Sequence, residues 1–278
     1  MAKLVSIIIP CYNDDRYISN SINSALKQTY VRKEIIVIDD GSSEKTKSIL
    51  RSLESQIDLL ITQENQGVVA ARNNGISKAK GEFILTLDSD DYFDPEFVIK
   101  AVDILEQNPQ IGMVTCHATI VRNGKKIMVQ RPQKRTRNNI IFENGVYASL
   151  LFRKQCWVQV NGYDSNMKLG YEDWEFNISV MAAGWGIYTI QEELFFYRDR
   201  EQSRNKSISV EDNMQLVKYI YKKHKDLFLL NYENMIDFLF FKLEQSRKNE
   251  IKKSNTLEFK LGKFILTPVI WIKRKIRI

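Results

Sequence analysis

Long apolar runs are missing from this 278-residue chain. No stretch reaches the ~20 apolar residues that a membrane-spanning helix requires. The N-terminal MAKLVSIIIPCYN has too short an apolar run, and no small-residue cleavage site, for a secretory signal. Cysteine is scarce: Cys11, Cys116 and Cys156 stand far apart and form neither a zinc pattern nor a paired framework, which suits a reducing compartment. Glycine-rich phosphate loops are absent as well. The first apolar run is followed by PCYNDD, not by Gly-x-Gly-x-x-Gly, and there is no Walker lysine. A Rossmann dehydrogenase and a P-loop nucleotidase are therefore disfavoured. Repeats and low-complexity tracts are absent too. The expectation is a chain kept in the cytoplasm.

What is present is an ordinary globular composition, 44% hydrophobic and 27% charged, long enough for one sizeable core with an appendage. The net charge is +7, and its placement is informative. From Ile251 onward there are eight bases and one acid, Glu258, so this tail alone accounts for the whole excess. The rest of the chain is close to neutral, which argues against a nucleic-acid-coated surface.

Short β-branched runs alternate with helical spacing along the first hundred residues. Leu4–Ile9, Glu34–Ile38, Leu59–Thr62 and Phe83–Leu87 read as buried strands, and Asp15–Gln28, Lys45–Ser55 and Val68–Lys80 as helices, with Gly75 weakening the last. Such alternation predicts an α/β fold with parallel βαβ units, whose ligands bind at the carboxyl ends of the strands. Polar clusters stand at three of those ends: Cys11–Asp14, Asp39–Ser42 and Asp88–Asp91. Further on, the pattern predicts a helix over 95–107, a strand over 112–121, a mobile loop over 124–139, a helix from Glu172 that stops at Gly184, a strand over 194–197, and helices from about Val210.

Asp88, Asp90 and Asp91 are crowded. Two carboxylates ~5 Å apart at an effective dielectric of ~20 repel by roughly 3 kcal/mol. Protonation of one acid, or a hard cation such as Mg²⁺ or Mn²⁺ with oxygen ligands, relieves this. A solvated acidic turn or a helix cap ahead of Pro95 is the competing reading. The position after a buried strand of a parallel sheet favours a metal–phosphate site.

Taken together, VSIIIPCYND, IIVIDDGSSEKT, ENQGVVAARNNGISKAKGEFILTLDSDDYFDP, LLFRK, NGYD and GYEDWEF resemble a glycosyltransferase of family 2. The resemblance covers most of residues 3–200. It implies a GT-A fold: a Rossmann-like, mostly parallel central sheet flanked by helices. It implies a catalytic domain over 1–208, with a nucleotide-binding half of about 1–100 and an acceptor-binding half of about 101–208. A helical C-terminal extension over 209–278 follows, ending in the basic amphipathic tail. It also implies an inverting, metal-dependent transferase moving a sugar from a nucleotide donor, typically a UDP-sugar, to a hydroxyl of a saccharide or lipid-linked saccharide in surface polysaccharide or glycoconjugate assembly.

The resemblance further implies residue roles. Pro10 and Tyr12 would wall and stack on the base, Asp40 would accept its hydrogen bond, and Arg72 would sit on the nucleotide side of the cleft. Asp88 and Ser89 would lie near ribose and diphosphate. Asp90 would hold Mn²⁺ or Mg²⁺, with Asp88 and Asp91 as further metal contributors. Asp173, second in the Glu172-Asp173 pair, would be the general base for one in-line displacement, giving a β-linkage from an α-linked donor. The plain alternatives are a strand stop at Pro10, a core tyrosine, an N-cap at Asp40, a surface ion pair at Arg72, and acids that merely stabilise a helix start.

One position departs from the pattern. Many relatives carry a histidine a few residues after a Tyr-Arg pair; here Tyr197-Arg198 is followed by Arg200. His117 and His224 lie elsewhere. The polymer-synthase signature QxxRW is absent, which favours single additions. The tail over 259–278 mixes aliphatic and aromatic residues with Lys and Arg. It reads as an interfacial segment for an anionic inner membrane face, or as a helix packed on the catalytic domain. A catalytically inactive nucleotide-sugar-binding module and a basic scaffold are the rival functions. The intact DSDD and Glu172-Asp173 count against the first, and only the tail speaks for the second.

Overall fold

The computed structural model describes residues 2–132, 141–200 and 208–276, with side chains as far as Thr267. Contacts divide the chain into two compact units, Met1–Leu227 and Phe228–Ile278.

The first unit is α/β. Strands β1 (Val5–Cys11), β2 (Lys33–Asp40), β3 (Leu59–Gln63) and β4 (Phe83–Thr86) run parallel in the order β3-β2-β1-β4. They are joined by α1 (Ile18–Leu26), α2 (Glu44–Leu53) and α3 (Val68–Lys78). Because successive side chains of a strand point to opposite faces, β1 feeds two cores. Ile7 and Ile9 pack with Ile22 of α1 on one side, and Ile8 packs with Ile36, Ile38 and Ile76 of α3 on the other. The apolar runs are continuous because both faces are covered. Gly75 has its explanation here: a Cβ would lie 2.5 Å from Ile38 Cδ1 and 2.9 Å from Ile8 Cγ2. The residue that lowers helix propensity is what lets α3 lie close to the sheet.

Beyond β4 the sheet becomes mixed. After β5 (Tyr92–Phe93) and α4 (Phe97–Gln107) come β6 (Ile111–Arg122), β7 (Lys125–Gln130) and β8 (Leu151–Arg153). The short helix α5 (Lys154–Gln159), then α6 (Glu172–Ala182) and β9 (Gly186–Arg198) complete the sheet. β8 is antiparallel to both β4 and β6, β6 and β9 are parallel, and β5 and β7 add antiparallel edges. The loop expected over 124–139 begins instead as a strand. Asn123 and Gly124 both have positive φ (50° and 75°), the turn that an Asn-Gly pair forms between hairpin strands. The exposed Lys-rich composition of β7 concealed it. Residues 133–140 lie outside the described residues.

Helix α7 (Val210–Lys223) belongs to the first unit, where its Leu216 and Ile220 are buried. Lys223 and Tyr219 bind Asp164, and Lys223 and His224 bind Glu175 of α6, so α7 braces the 162–171 loop. After α8 (Lys225–Leu230), the second unit holds the long helices α9 (Tyr232–Ser254) and α10 (Leu257–Ile276). No residue of α9 is buried, and Leu239, Phe240, Phe241 and Leu243 are exposed. No helix among the described residues is long and apolar enough to cross a membrane.

Candidate active site

The ends of β1, β2 and β4 surround a cavity of ≈ 260 Å³. Pro10, Tyr12, Asp40, Arg72, Asp88, Ser89 and Asp90 line it, together with Cys11, Asp14, Val68, Ala71, Tyr197 and Arg200. Every residue assigned from sequence to the nucleotide is thus on one wall or another. Asp91 and Asp173 are not.

Pro10 lies one residue before the end of buried β1, and Tyr12, just after the strand, is 54% exposed, so its ring is available to a ligand and is not core. Asp40 is 2% exposed. Its carboxylate accepts from Gln63 Nε2 (2.7 Å) and the backbone N–H groups of Gln66 (2.9 Å) and Gly67 (2.8 Å). Asp40 therefore ties the end of β2 to the turn before α3. Gly41 permits this, with φ 75° and a would-be Cβ 2.7 Å from Asn65 N. Cys11 is no nucleophile, because burial, then Asp14, pushes its thiol up to about 12.

Asp88, Ser89, Asp90 and Asp91 take four different positions. Asp88 accepts from Arg72 Nη2 at 2.6 Å. Ser89 Oγ donates to Asp14 Oδ2 at 2.8 Å. Asp90 faces Arg200, whose Nε lies 2.7 Å from its Oδ2. Asp91 turns away from the cavity: it is 2% exposed, and its Oδ1 accepts the Arg198 N–H at 2.8 Å. Asp91 thus joins the acidic turn to the end of β9 and stands behind Asp88 and Asp90, which line the cavity. Burial first, then Asp90 and Asp88, holds its carboxyl well above the usual range. Asp90 is raised to about 6 by burial, then by Asp88 and Asp14, with Arg200 opposing.

Arg72 is the hinge of the arrangement. It is 1% exposed, and its guanidinium forks between Asp88 and Glu172 Oε1 (3.0 Å), a hundred residues away. The Tyr163 ring lies 5.6 Å from its Cζ. It joins the acids of the cavity to the start of α6, where Asp173 sits. Tyr171 precedes that helix in the left-handed region, φ 58°. Asp173 is half-buried. Asn144 Nδ2 donates to both of its oxygens at 3.2 Å, and the Trp174 N–H donates to Oδ1 at 2.7 Å. Burial and the neighbouring Glu172 raise it to about 6, against Asn144 and Arg72. A carboxylate that is ionised at neutral pH yet raised in basicity suits proton abstraction. Trp174 is 4% exposed and packs.

Sequence reasoning left Asn144, Asp14 and Tyr17 without roles. Asp14 was visible as the fourth residue of the cluster after β1. Tyr17 lies beneath the guanidinium groups of Arg198 and Arg200, at 4.5 and 4.9 Å. Nothing local marks Asn144, whose partner lies 29 residues ahead.

A divalent cation fits these residues on one condition. Among the described residues, no group of three or more His, Cys, Asp or Glu side chains is placed to hold a metal alone. Mg²⁺ and Mn²⁺ are commonly held by one or two carboxylates, with substrate phosphates and water completing the shell. Asp90, with Asp88 nearby, is such a partial donor set.

The fold and these motifs have counterparts. TarS 1–349 of S. aureus, in a structure with UDP-GlcNAc, superposes with a TM-score of 0.72 over 95% of this chain and 81% of its own, at 22% identity. The mannosyltransferase PcManGT of Pyrobaculum calidifontis, in complex with GDP-Man and Mn²⁺, gives 0.63 over 97% and 86%, at 16% identity. The architecture is therefore of the GT-A type. In sequence, WfgD of Escherichia coli, a UDP-Glc:α-D-GlcNAc-diphosphoundecaprenol β-1,3-glucosyltransferase, is 37% identical over 145 residues, 51% of this chain and 57% of that one. The chain spans about half the length of curated relatives such as this one. The model of the family described as glycosyl transferase family 2 matches residues 6–166, the part of the chain that carries the cavity and the strands around it. By that match, this chain belongs to glycosyl transferase family 2.

Proposed function

We propose that the protein is an inverting hexosyl- or N-acetylhexosaminyltransferase. It takes its sugar from a nucleotide donor, a UDP-sugar, and delivers it to a hydroxyl of a lipid-linked saccharide in surface polysaccharide or glycoconjugate assembly. The observation that carries this reading is the Arg72 fork, which joins the acid-lined cavity at Asp88 to the Glu172-Asp173 pair. The cavity offers Tyr12, Asp90 and Arg200 to a nucleoside diphosphate, and Asp173 is the next residue after Glu172, which the same buried guanidinium holds.

In this reading Tyr12 stacks on the base and Asp40 holds both the base and the turn before α3. Asp90, with Asp88, holds Mn²⁺ or Mg²⁺, which supplies Lewis-acid stabilisation of the leaving diphosphate. Asp173 takes the acceptor hydroxyl's proton. Even at a pKa of about 6 it is a weak base toward an alcohol, so transfer comes late, once the new bond has acidified the hydroxyl. Asn144 and the Trp174 N–H keep the carboxylate in place. The names of the relatives support the donor and acceptor classes: UDP-GlcNAc in the TarS structure and a sugar-diphospholipid for WfgD.

The second unit supports a lipid-linked acceptor. On α10, Leu257, Phe259, Leu261, Phe264, Ile265 and Leu266 are all exposed, interspersed with Lys260 and Lys263. An apolar helix with basic residues suits the surface of an anionic bilayer. The enzyme would thus work at the anionic inner face of the cell membrane.

The test is nucleotide release from UDP-Glc, UDP-GlcNAc, UDP-Gal and GDP-Man, with Mn²⁺ and a synthetic sugar-diphospholipid acceptor. One UDP-sugar should release UDP in step with acceptor extension. Binding without turnover across the whole panel would leave only a nucleotide-sugar-binding module.

A further inference from the structure

Asp90 already has a cation against it. Arg200 Nε lies 2.7 Å from Asp90 Oδ2, and Arg200 Nη2 donates to Asp14 Oδ2 at 2.6 Å. The guanidinium is steadied by the Tyr17 ring, 4.9 Å away. Asp14 is a fixed anchor, 4% exposed and also bound by Ser89 Oγ. The Arg200 and Asp90 side chains are more open, at 31% and 27%. Arg200 therefore spans the cavity wall from a buried carboxylate to the one carboxylate best placed for a metal.

We propose that Arg200 and the divalent cation compete for Asp90, so that the cation loads together with a nucleoside diphosphate and not before it. The proposal rests on the donor-site reading of the cavity. A dication approaching Asp90 meets a guanidinium on the same oxygen, and like charges at that distance repel. A diphosphate changes the balance. Its oxygens accept from Arg200 while the cation takes Asp90, and both positive charges are then met. Arginine suits this exchange, because its planar fork pairs with carboxylate and phosphate alike.

The geometry allows the movement. Arg200 also lines an adjoining cavity of ≈ 520 Å³, where the acids Asp14, Asp15 and Asp199 stand beside Arg16, Arg122 and Arg198. It can leave Asp90 without disturbing either hydrophobic core. Without Arg200, the carboxylates of Asp14, Asp88 and Asp90 would face the cavity with Arg72 as the remaining cation, and Arg72 is committed to Asp88 and Glu172. A dication approaching Asp90 would then meet no guanidinium on that oxygen. Arg200 is thus a positioning residue that sets the order of loading.

The experiment measures Mn²⁺ binding by electron paramagnetic resonance, with and without UDP, on the full chain. In the wild type, Mn²⁺ alone should bind weakly and UDP should tighten it strongly. In Arg200→Gln, Mn²⁺ alone should bind at least tenfold tighter than in the wild type, and the tightening by UDP should shrink by a similar factor. Asp14→Asn, which removes the carboxylate that draws Arg200 Nη2 away from Asp90, should move Mn²⁺ binding the other way; this opposite sign keeps the test decisive if one variant folds poorly. Unchanged or weaker binding of Mn²⁺ alone to a folded Arg200→Gln, with UDP-dependent binding intact, would overturn the competition. Failure of every protein to bind Mn²⁺, even with UDP, would overturn the donor-site reading and this proposal with it.

Discussion

Replacing Asp173 by Asn separates chemistry from stability, and the structure sets the sign of each. Asp173 is raised from 3.8 to about 6, mainly by burial and by Glu172. Its charged form is therefore less stable in the folded protein than in the unfolded chain. A shift of ~2 units corresponds to ~3 kcal/mol at most, and solvent around a half-buried group reduces this to roughly 1–2 kcal/mol. The sign follows from linkage. Below pH ~4 the group is protonated in both states and costs nothing. As pH rises toward 6 the unfolded chain has lost its proton and the folded one has not, so stability falls, and above 6 the full cost is present. Asn cannot ionise and escapes that cost. Against this, Asn144 Nδ2 now donates to both carboxylate oxygens. Losing one of these contacts costs about 1 kcal/mol at every pH.

Asp173→Asn should therefore gain stability relative to the wild type between pH 4.5 and 7.5. The midpoint difference should change by about 3–6 °C for a unit of this size. Transfer should fall by ~10²–10⁴-fold, the range of a lost general base, while Mn²⁺-UDP binding stays as it was. Differential scanning calorimetry at the two pH values and initial rates with the sugar-diphospholipid read both effects. Near-normal turnover would refute the base assignment. A midpoint difference indifferent to pH would refute the electrostatic reasoning even if activity were lost.

Two further perturbations follow. Arg72→Met removes a buried cation from two carboxylates and leaves Glu172 buried at 1% exposure. The cost should be ~3–5 kcal/mol of unfolding free energy in urea, and a variant within 1 kcal/mol of wild type would mean that the fork is dispensable. Removal of residues 257–278 should abolish flotation with phosphatidylglycerol vesicles, and high salt should weaken flotation of the full chain. Equal flotation of both proteins would rule out the tail as the membrane contact.

Much of the fold was legible because its signals are local. The four parallel strands show as β-branched runs, and three of them end where a polar cluster begins. The Asn-Gly turn at 123–124 was equally local, yet the polar, exposed face of β7 masked the strand behind it. β5 and β8 are two and three residues long, too short to carry a period. They exist because β9 and β4 offer them hydrogen bonds.

The chain order alone determined that acids and a tyrosine would stand at one edge of a parallel sheet, and that Asp173 would open a helix. Those facts depend on strand and helix periodicity and on residue identity at element ends. Which acids share a partner was decided only in three dimensions. Asp88, Asp90 and Asp91 look equivalent in sequence, yet one meets Arg72, one meets Arg200 and one accepts a backbone N–H from β9. Arg200 reaches Asp14 across 186 residues, and Arg72 reaches Glu172 across 100. A charge does not specify its counter-charge until packing brings the two within a few ångströms and removes the water between them. That is why the tertiary structure was needed to tell the acids that line the cavity from the acid that holds the turn behind them.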